Sequence, residues 1–155
     1  MRTSIEIKNA LQAIGSVNES TAQLFDELVQ EAALDRSEYT LEALLESLDD
    51  QCPFDELMFS VVHAIESRDR SRFLNCLLKS LDATRERAPR WSRILHTRIM
   101  NSPEVFKSYL DLLPHAHENS KAALTSILNE IYLKPNFSLR ARVGLAEIES
   151  GYKRL

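Results

Sequence analysis

Residues 37–50, SEYTLEALLESLDD, decide the fold class of this chain. Four leucines recur in it at i, i+3, i+4 and i+7, the spacing that lines one face of an α-helix: Leu41, Leu44, Leu45 and Leu48. Ser37 stands before the first turn, where its hydroxyl can accept a hydrogen bond from a free backbone N–H group. The stretch therefore predicts a helix that begins after Ser37 and ends before Cys52-Pro53, because proline removes a backbone donor.

The same helical spacing recurs along the rest of the chain, and no segment alternates apolar and polar residues over the length of a strand. Only 3 of the 155 residues are glycine and 5 are proline, too few for the many turns of a β-sandwich or barrel. We predict an all-α protein of about nine short antiparallel helices. They form either an α-solenoid-like stack of hairpins of the HEAT kind or a compact bundle.

The predicted helix boundaries follow from the capping residues and the prolines. Pro89 and Pro103 suit the first turn of a helix, Ser102 is expected to cap the second of these helices, and Pro114 and Pro135 mark breaks. The predicted helices cover about residues 3–14, 19–34, 38–50, 54–66, 69–87, 90–100, 103–113, 118–133 and 138–153.

Composition indicates an ordinary globular protein, with 44% apolar and 27% charged residues. No long linker or low-complexity segment divides the chain, so we expect a single helical domain over residues 1–155. There is no run of about 18 apolar residues, and the charged start lacks the apolar core of a secretory leader. Two cysteines, Cys52 and Cys76, are too few for a disulfide scaffold. We therefore expect a cytoplasmic protein that does not bind a membrane.

The sequence contains no pattern typical of an enzyme. Three glycines are too few to build a phosphate-binding loop easily, and neither a Walker motif nor a nucleophile elbow is present. His115 and His117 are two residues apart and cannot share a helix face, so a polar loop is favoured over a metal site. Cys76, His63 and His96 lie in or beside apolar stripes and are interpreted as buried or half-buried packing residues. We expect no enzymatic activity, no catalytic residue, no cofactor and no bound metal.

The net charge of −4 conceals a division along the chain. Residues 1–66 hold 3 basic and 14 acidic side chains, a net of −11, whereas the remainder holds 16 basic and 9 acidic side chains, a net of +7. Such a division indicates a partner recognised through charge. The acidic part repels nucleic acid and attracts a basic protein.

The acidic charge is densest over residues 35–56, where eight acids accompany a single base, Arg36, for a net of −7. Four of the acids fall at i, i+4, i+8 and i+11, which predicts one helical stripe beside the leucine face: Glu38, Glu42, Glu46 and Asp49. Like charges along a stripe repel, so a cationic partner would stabilise it. A solvated acidic face without a partner is the alternative interpretation. The candidate partner-binding residues are Glu38, Glu42, Glu46, Asp49, Asp50, Asp55 and Glu56.

A second charged segment is basic and surrounds Trp91. Its arginines are Arg68, Arg70, Arg72, Arg85, Arg87, Arg90, Arg93 and Arg98. Guanidinium groups beside an aromatic ring can bind a nucleic-acid backbone. Acids interleave with these arginines, however, and the whole chain is net acidic, so a solvated or salt-bridged face is the favoured interpretation. Trp91 has core spacing with Leu95 and Ile99 and is expected to pack in the interior.

Two stretches of the chain resemble an all-helical bacterial family, the one catalogued as immunity protein thirty. Residues 58–66, MFSVVHAIE, look like the segment that opens the region this family shares. Residues 91–104, WSRILHTRIMNSPE, with Trp91, Arg98, Asn101, Pro103 and Glu104, are similar to its most recognisable stretch. The resemblance covers about residues 54–133, roughly half of the chain.

The resemblance implies a cytoplasmic antidote from polymorphic-toxin and contact-dependent growth inhibition systems, which binds the C-terminal domain of a toxin made beside it. It assigns no toxin-contacting role to Trp91 or Arg98. Because many such toxins are nucleases with basic clefts, an acidic helical surface is suited to occluding one. Two alternatives stay open: a helical-repeat scaffold or regulator that binds a cellular protein, and an RNA-binding protein that uses the arginine-rich segment.

Overall fold

The computed structural model describes residues 1–132 and 138–153, and within them the chain is helical without a strand. The α-helices are α1 (Ser4–Ile14), α2 (Ala22–Leu34), α3 (Glu38–Glu46), α4 (Asp55–Glu66), α5 (Arg70–Arg87), α6 (Pro89–Asn101), α7 (Pro103–Leu112), α8 (Glu118–Tyr132) and α9 (Ser138–Lys153). A 3₁₀ turn over Leu113–His115 separates α7 from α8. The predicted all-α class is confirmed. The break predicted at Pro135 lies outside the described residues.

Two predicted helices prove too long. The helix predicted over residues 38–50 ends at Glu46, because the Ser47 hydroxyl turns back to the Ala43 carbonyl at 2.7 Å and Asp49 accepts a hydrogen bond from the Gln51 N–H at 2.9 Å. Such bonds from Ser and Asp side chains compete with the helical ladder. The helix predicted from residue 19 begins at Ala22, since the Asn18 side chain accepts from two of the following backbone N–H groups.

Capping chemistry fixes most of the other ends. Ser37 caps α3 as predicted, accepting from the Thr40 N–H at 3.3 Å, and Pro89 and Pro103 occupy first turns. Ser102 stands at the N-cap of α7, but its side chain makes no capping hydrogen bond, so this part of the prediction is wrong. The chain leaves α1 through Gly15 at φ 61°, a conformation that favours glycine.

The chain forms two compact units, one of residues up to Leu77 and one of residues from Leu78 onward. In the first unit α2 and α3 each pack against α1 and α4, and α2 also packs against α3. The core that results contains the leucine face of α3, with Leu44 and Leu45 fully buried, and also the fully buried Leu48 just beyond the end of that helix. The single domain expected from the sequence stays a prediction.

In the second unit α6 packs against α7 and α8, and α8 packs against α9. Trp91 is fully buried together with Leu95, which confirms it as a packing residue. Gly144 allows α9 to approach α8 closely, because a Cβ atom there would stand 2.8 Å from Leu128 Cδ1. Among the described residues no helix is both long enough and apolar enough to cross a bilayer.

Candidate functional site

The seven candidate acids lie on α3, on the turn after it and on the first turn of α4. Four of them are exposed and three are partly buried: Glu38, Glu46, Asp55 and Glu56 in the first group, Glu42, Asp49 and Asp50 in the second. Four of the acids were predicted to share one helical stripe, and Asp49 does not belong to it, because α3 ends at Glu46 and Asp49 lies in the following turn. The predicted stripe is correct only for the three glutamates of α3.

Two glutamates of this stripe lie along the polar side of α1. Lys8 donates a hydrogen bond to Glu42 at 3.1 Å, and the side-chain amide of Gln12 donates to Glu46 at 3.0 Å. The hydrogen bond to Glu42, opposed by partial burial and aided by the charge of Glu46, raises the pKa of Lys8. The Lys8 ammonium also lies 5.9 Å from the centre of the Tyr39 ring. Glu42 thus pairs directly with an ammonium group within the chain, whereas the hydrogen bond to Glu46 comes from a neutral amide.

The other end of the acidic segment surrounds the start of α4. Asp55 and Glu56 occupy the first turn of α4, where the positive end of the helix dipole stabilises carboxylates. Asp49 and Asp50 lie in the turn that leads into that helix. We call the seven residues the acidic surface: Glu38, Glu42, Glu46, Asp49, Asp50, Asp55 and Glu56.

The helix ends next to the acidic surface are held together by a buried arginine. Arg68 is 7% exposed, and its guanidinium donates to the carbonyls of Ala32 and Ser37 and, at 3.0 Å, to the Thr40 hydroxyl. These acceptors belong to the last turn of α2 and the start of α3. Arg68 lies in the link after α4, so its hydrogen bonds connect that link to both helices. Burial lowers the pKa of the Arg68 guanidinium, and the charge of Asp35 partly opposes this effect.

Asp35 lies near Arg68 and acts on it through its charge rather than through a direct hydrogen bond. Partial burial acts to raise the pKa of its carboxyl, but hydrogen bonds from Ser4 and Ser37 and the charge of Arg68 prevail and lower it. The prediction that Arg68 belongs to a solvated or salt-bridged face is therefore wrong, because its side chain is buried against neutral acceptors. No spacing signal distinguishes it, since it stands in a short link between two helices.

The arginines around Trp91 are largely engaged within the second unit. Glu130 lies 3.6 Å from Arg85 and 3.3 Å from Arg93, and the Arg90 guanidinium lies 5.0 Å from the centre of the Trp91 ring. These contacts agree with the salt-bridged face that the sequence favoured. They leave Trp91 without a stacking surface for a base, because its ring is fully buried.

The histidines and cysteines are either exposed to solvent or buried as packing residues. His115 and His117 are exposed, and among the described residues no group of three or more His, Cys, Asp or Glu side chains is placed to hold a metal ion. His63 is exposed on the solvent side of α4, so its interpretation as a buried or half-buried packing residue is wrong. Cys52 and Cys76 are buried free thiols.

His96 is buried in the core of the second unit, as expected. One imidazole nitrogen lies 2.7 Å from the Ser92 carbonyl and the other 2.7 Å from the Tyr109 hydroxyl. Burial lowers the pKa of His96 to about 4 and raises the pKa of Tyr109. The neutral imidazole therefore donates to Ser92 and accepts from Tyr109, which satisfies both polar groups in the interior.

Comparison with known proteins gives one result at the level of families. The model of the family described as Immunity protein 30 matches residues 13–109, more than half of the chain. The match begins well before residue 54, where the resemblance seen in the sequence begins, and ends before residue 133. It thus includes the entire acidic surface, Arg68 and Trp91. Neither the curated proteins nor the solved structures give a match.

Proposed function

The chain belongs to the immunity protein 30 family, and from this premise we propose that it neutralises a cognate toxin domain by binding it through the acidic surface. The family supports an immunity role and a toxin protein as the partner. The toxin we propose is a nuclease of a contact-dependent growth inhibition system, and the complex forms in the cytoplasm. The observation that carries the choice of surface is the accumulation of acidic side chains around α3.

Charge density supports this surface over the others. The first unit holds 6 basic and 15 acidic side chains, a net of −9, whereas the rest of the chain holds 13 basic and 8 acidic, a net of +5. A cleft that binds nucleic acid is lined by basic groups. Such a cleft is attracted to the acidic first unit and repelled by the basic remainder of the chain. The family match includes this whole segment.

Inhibition on this proposal is steric and electrostatic and requires no catalysis by the immunity protein. Exposed carboxylates such as Glu46 and Glu56 occupy the places that phosphate groups take in the cleft and prevent the substrate from entering. Exposed charges mainly increase the rate of association, while charge pairs that become desolvated slow dissociation. The exposed acids of this surface are therefore expected to act on association, and those that lose their water against the toxin to act on dissociation as well.

The proposal is tested by reversing exposed charges in the acidic surface. The partner in the assay is the cognate toxin domain, and its association rate is measured by stopped flow or surface plasmon resonance. We expect E46K/E56K to reduce the association rate about tenfold or more and to weaken protection of cells that express the toxin. Circular dichroism establishes that the variant keeps its helical content.

A matched control separates a local contact from the overall charge. Glu19 and Glu27 are exposed acids of the same unit outside the acidic surface, and Glu27 accepts a hydrogen bond from Gln23 much as Glu46 does from Gln12. E19K/E27K changes the net charge equally and should slow association far less. If both pairs slow it equally, or if only reversal of Arg85 and Arg87 abolishes binding, the acidic surface is not the interface.

A further inference from the structure

A cavity of about 770 Å³ opens in the first unit between the start of α3 and the start of α5. Its volume is within the range of small-molecule sites, which bury most of a ligand's surface. Three arginines are among the residues that line it: Arg36, Arg68 and Arg72. The cavity shares Glu38 with the acidic surface, and its other lining residues lie outside that surface.

The arginines at the opening keep most of their hydrogen-bonding capacity. Arg36 donates to the Ser67 carbonyl at 3.0 Å and Arg72 to the Arg36 carbonyl at 3.4 Å, and each side chain has five N–H donors. Both side chains are exposed, and within residues 1–132 and 138–153 neither guanidinium has a carboxylate within ion-pair distance. These contacts to carbonyls orient the two guanidinium groups without neutralising them.

Arg68 places a third positive charge in the wall of the cavity. Its guanidinium is buried with two nitrogens bonded to neutral acceptors, and its Nε atom has no hydrogen-bond partner. A buried cation bonded only to neutral groups attracts an anion more strongly than an exposed one, because little water screens it, and the nearby charge of Asp35 offsets part of this attraction. The cavity therefore has a positive wall and two donors with free capacity at its opening.

The acids in the lining limit the charge of the ligand. Asp69 and Glu38 line the same cavity, so its ionised groups are three cations and two anions, a net of +1. Asp69 is engaged in capping α5, where its carboxylate accepts from the Arg72 N–H at 3.1 Å. A monoanion balances this charge, whereas a phosphate dianion adds repulsion from Glu38 and Asp69.

The remaining lining includes apolar side chains. Leu41 and Cys76 are 2% and 4% exposed and form part of the cavity wall. Burial of an aliphatic stem against them stabilises binding by removing apolar surface from water. We propose that the cavity binds a monocarboxylate with an apolar stem, its carboxylate held by Arg36 and Arg72 in the field of Arg68.

Two sources of this ligand are distinguished by the choice of probe: a free aliphatic acid or the carboxyl terminus of a polypeptide. The full chain is titrated with octanoate and, separately, with the peptide acetyl-Ala-Leu-Leu bearing a free carboxyl terminus. Each probe is paired with its neutral amide. Binding is followed by NMR of the arginine Nε–H and cavity backbone signals and by calorimetry. The tighter of the two acids identifies the source.

We expect at least one acid to shift the signals of Arg36 and Arg72, and its amide to bind about tenfold more weakly or worse. R36Q/R72Q should reduce the affinity for that acid at least about tenfold. R70Q, which removes an exposed arginine of α5 outside the cavity lining, should leave it unchanged. The proposal is overturned if neither acid shifts these signals, if acid and amide bind equally, or if R70Q weakens binding as much as R36Q/R72Q.

Discussion

His96 is a titratable side chain held neutral by its surroundings. In the folded chain the pKa of His96 is about 4, whereas in the unfolded chain it lies near the ordinary value of 6.5. Between these values the unfolded state binds more protons, so stability rises with pH in this window and is lost as pH falls from about 6.5 towards 4. A difference of this size corresponds to about 3 kcal/mol of unfolding free energy.

Chemical denaturation at a series of pH values measures this loss. His96→Gln removes the titrating group while keeping an acceptor for Tyr109, so the variant should lose most of the pH dependence between pH 6.5 and 4. The exposed His115 provides the control, and His115→Gln should leave the wild-type slope in place. Equal slopes for wild type and His96→Gln would contradict the assignment of the pH dependence to this buried pair.

At the scale of the element, α3 depends on its leucine face. Leu44 is fully buried, so Leu44→Asp places a carboxylate among apolar side chains that cannot pair with it. We expect the variant to unfold or to lose at least about 3 kcal/mol of stability, as measured by thermal melting and circular dichroism. An unchanged melting temperature would mean that this face of α3 is not buried. The exposed Glu46 on the same helix tolerates Glu46→Gln with little change.

Arg68 connects the end of α2 and the start of α3 to the link after α4 through its hydrogen bonds. Arg68→Ala leaves the buried acceptors of Ala32, Ser37 and Thr40 without this donor, and we expect a loss of at least about 2 kcal/mol of stability. Arg70→Ala changes an exposed arginine two residues away and should cost no more than about 0.5 kcal/mol. Urea denaturation of both variants gives the comparison. Equal stabilities would show that water replaces the guanidinium at these acceptors.

The elements of this fold were largely predictable because the information for them is local. Apolar spacing and caps such as Ser37 act within one or two turns, so the helices were placed close to their observed ends. The errors also have local causes: Ser47 and Asp49 end α3 through side-chain bonds to the backbone that leucine spacing does not reveal.

The site was less predictable because it depends on contacts between distant residues. The pairing of Glu42 with Lys8 spans 34 positions, and the Arg68 bonds to Ala32 and Thr40 span 36 and 28. The sequence identified which residues are acidic and where they are dense. It did not indicate which of them α1 partly neutralises, or that three arginines line one cavity. Such features follow only from the packing of the helices.

At the scale of the whole molecule, the division of charge predicts how binding responds to salt. The first unit has a net charge of −9, and the chain as a whole has −4. If the acidic surface steers a basic toxin domain, the association rate must fall as salt rises, because the field reaches only about 8 Å at physiological ionic strength. We expect a fall of about tenfold or more between low and high salt, with a much smaller change in the dissociation rate.

The same measurement on the charge variants decides whether this steering originates in the acidic surface. E46K/E56K should show a shallower dependence on salt than the wild type, and E19K/E27K should keep a dependence close to it. The two pairs alter the net charge equally, so a difference between them reflects the position of the charges, because screened interactions are short in range. Identical salt dependences for both variants would mean that overall charge alone drives the encounter, and the contact surface would then lie on residues outside Glu38–Glu56.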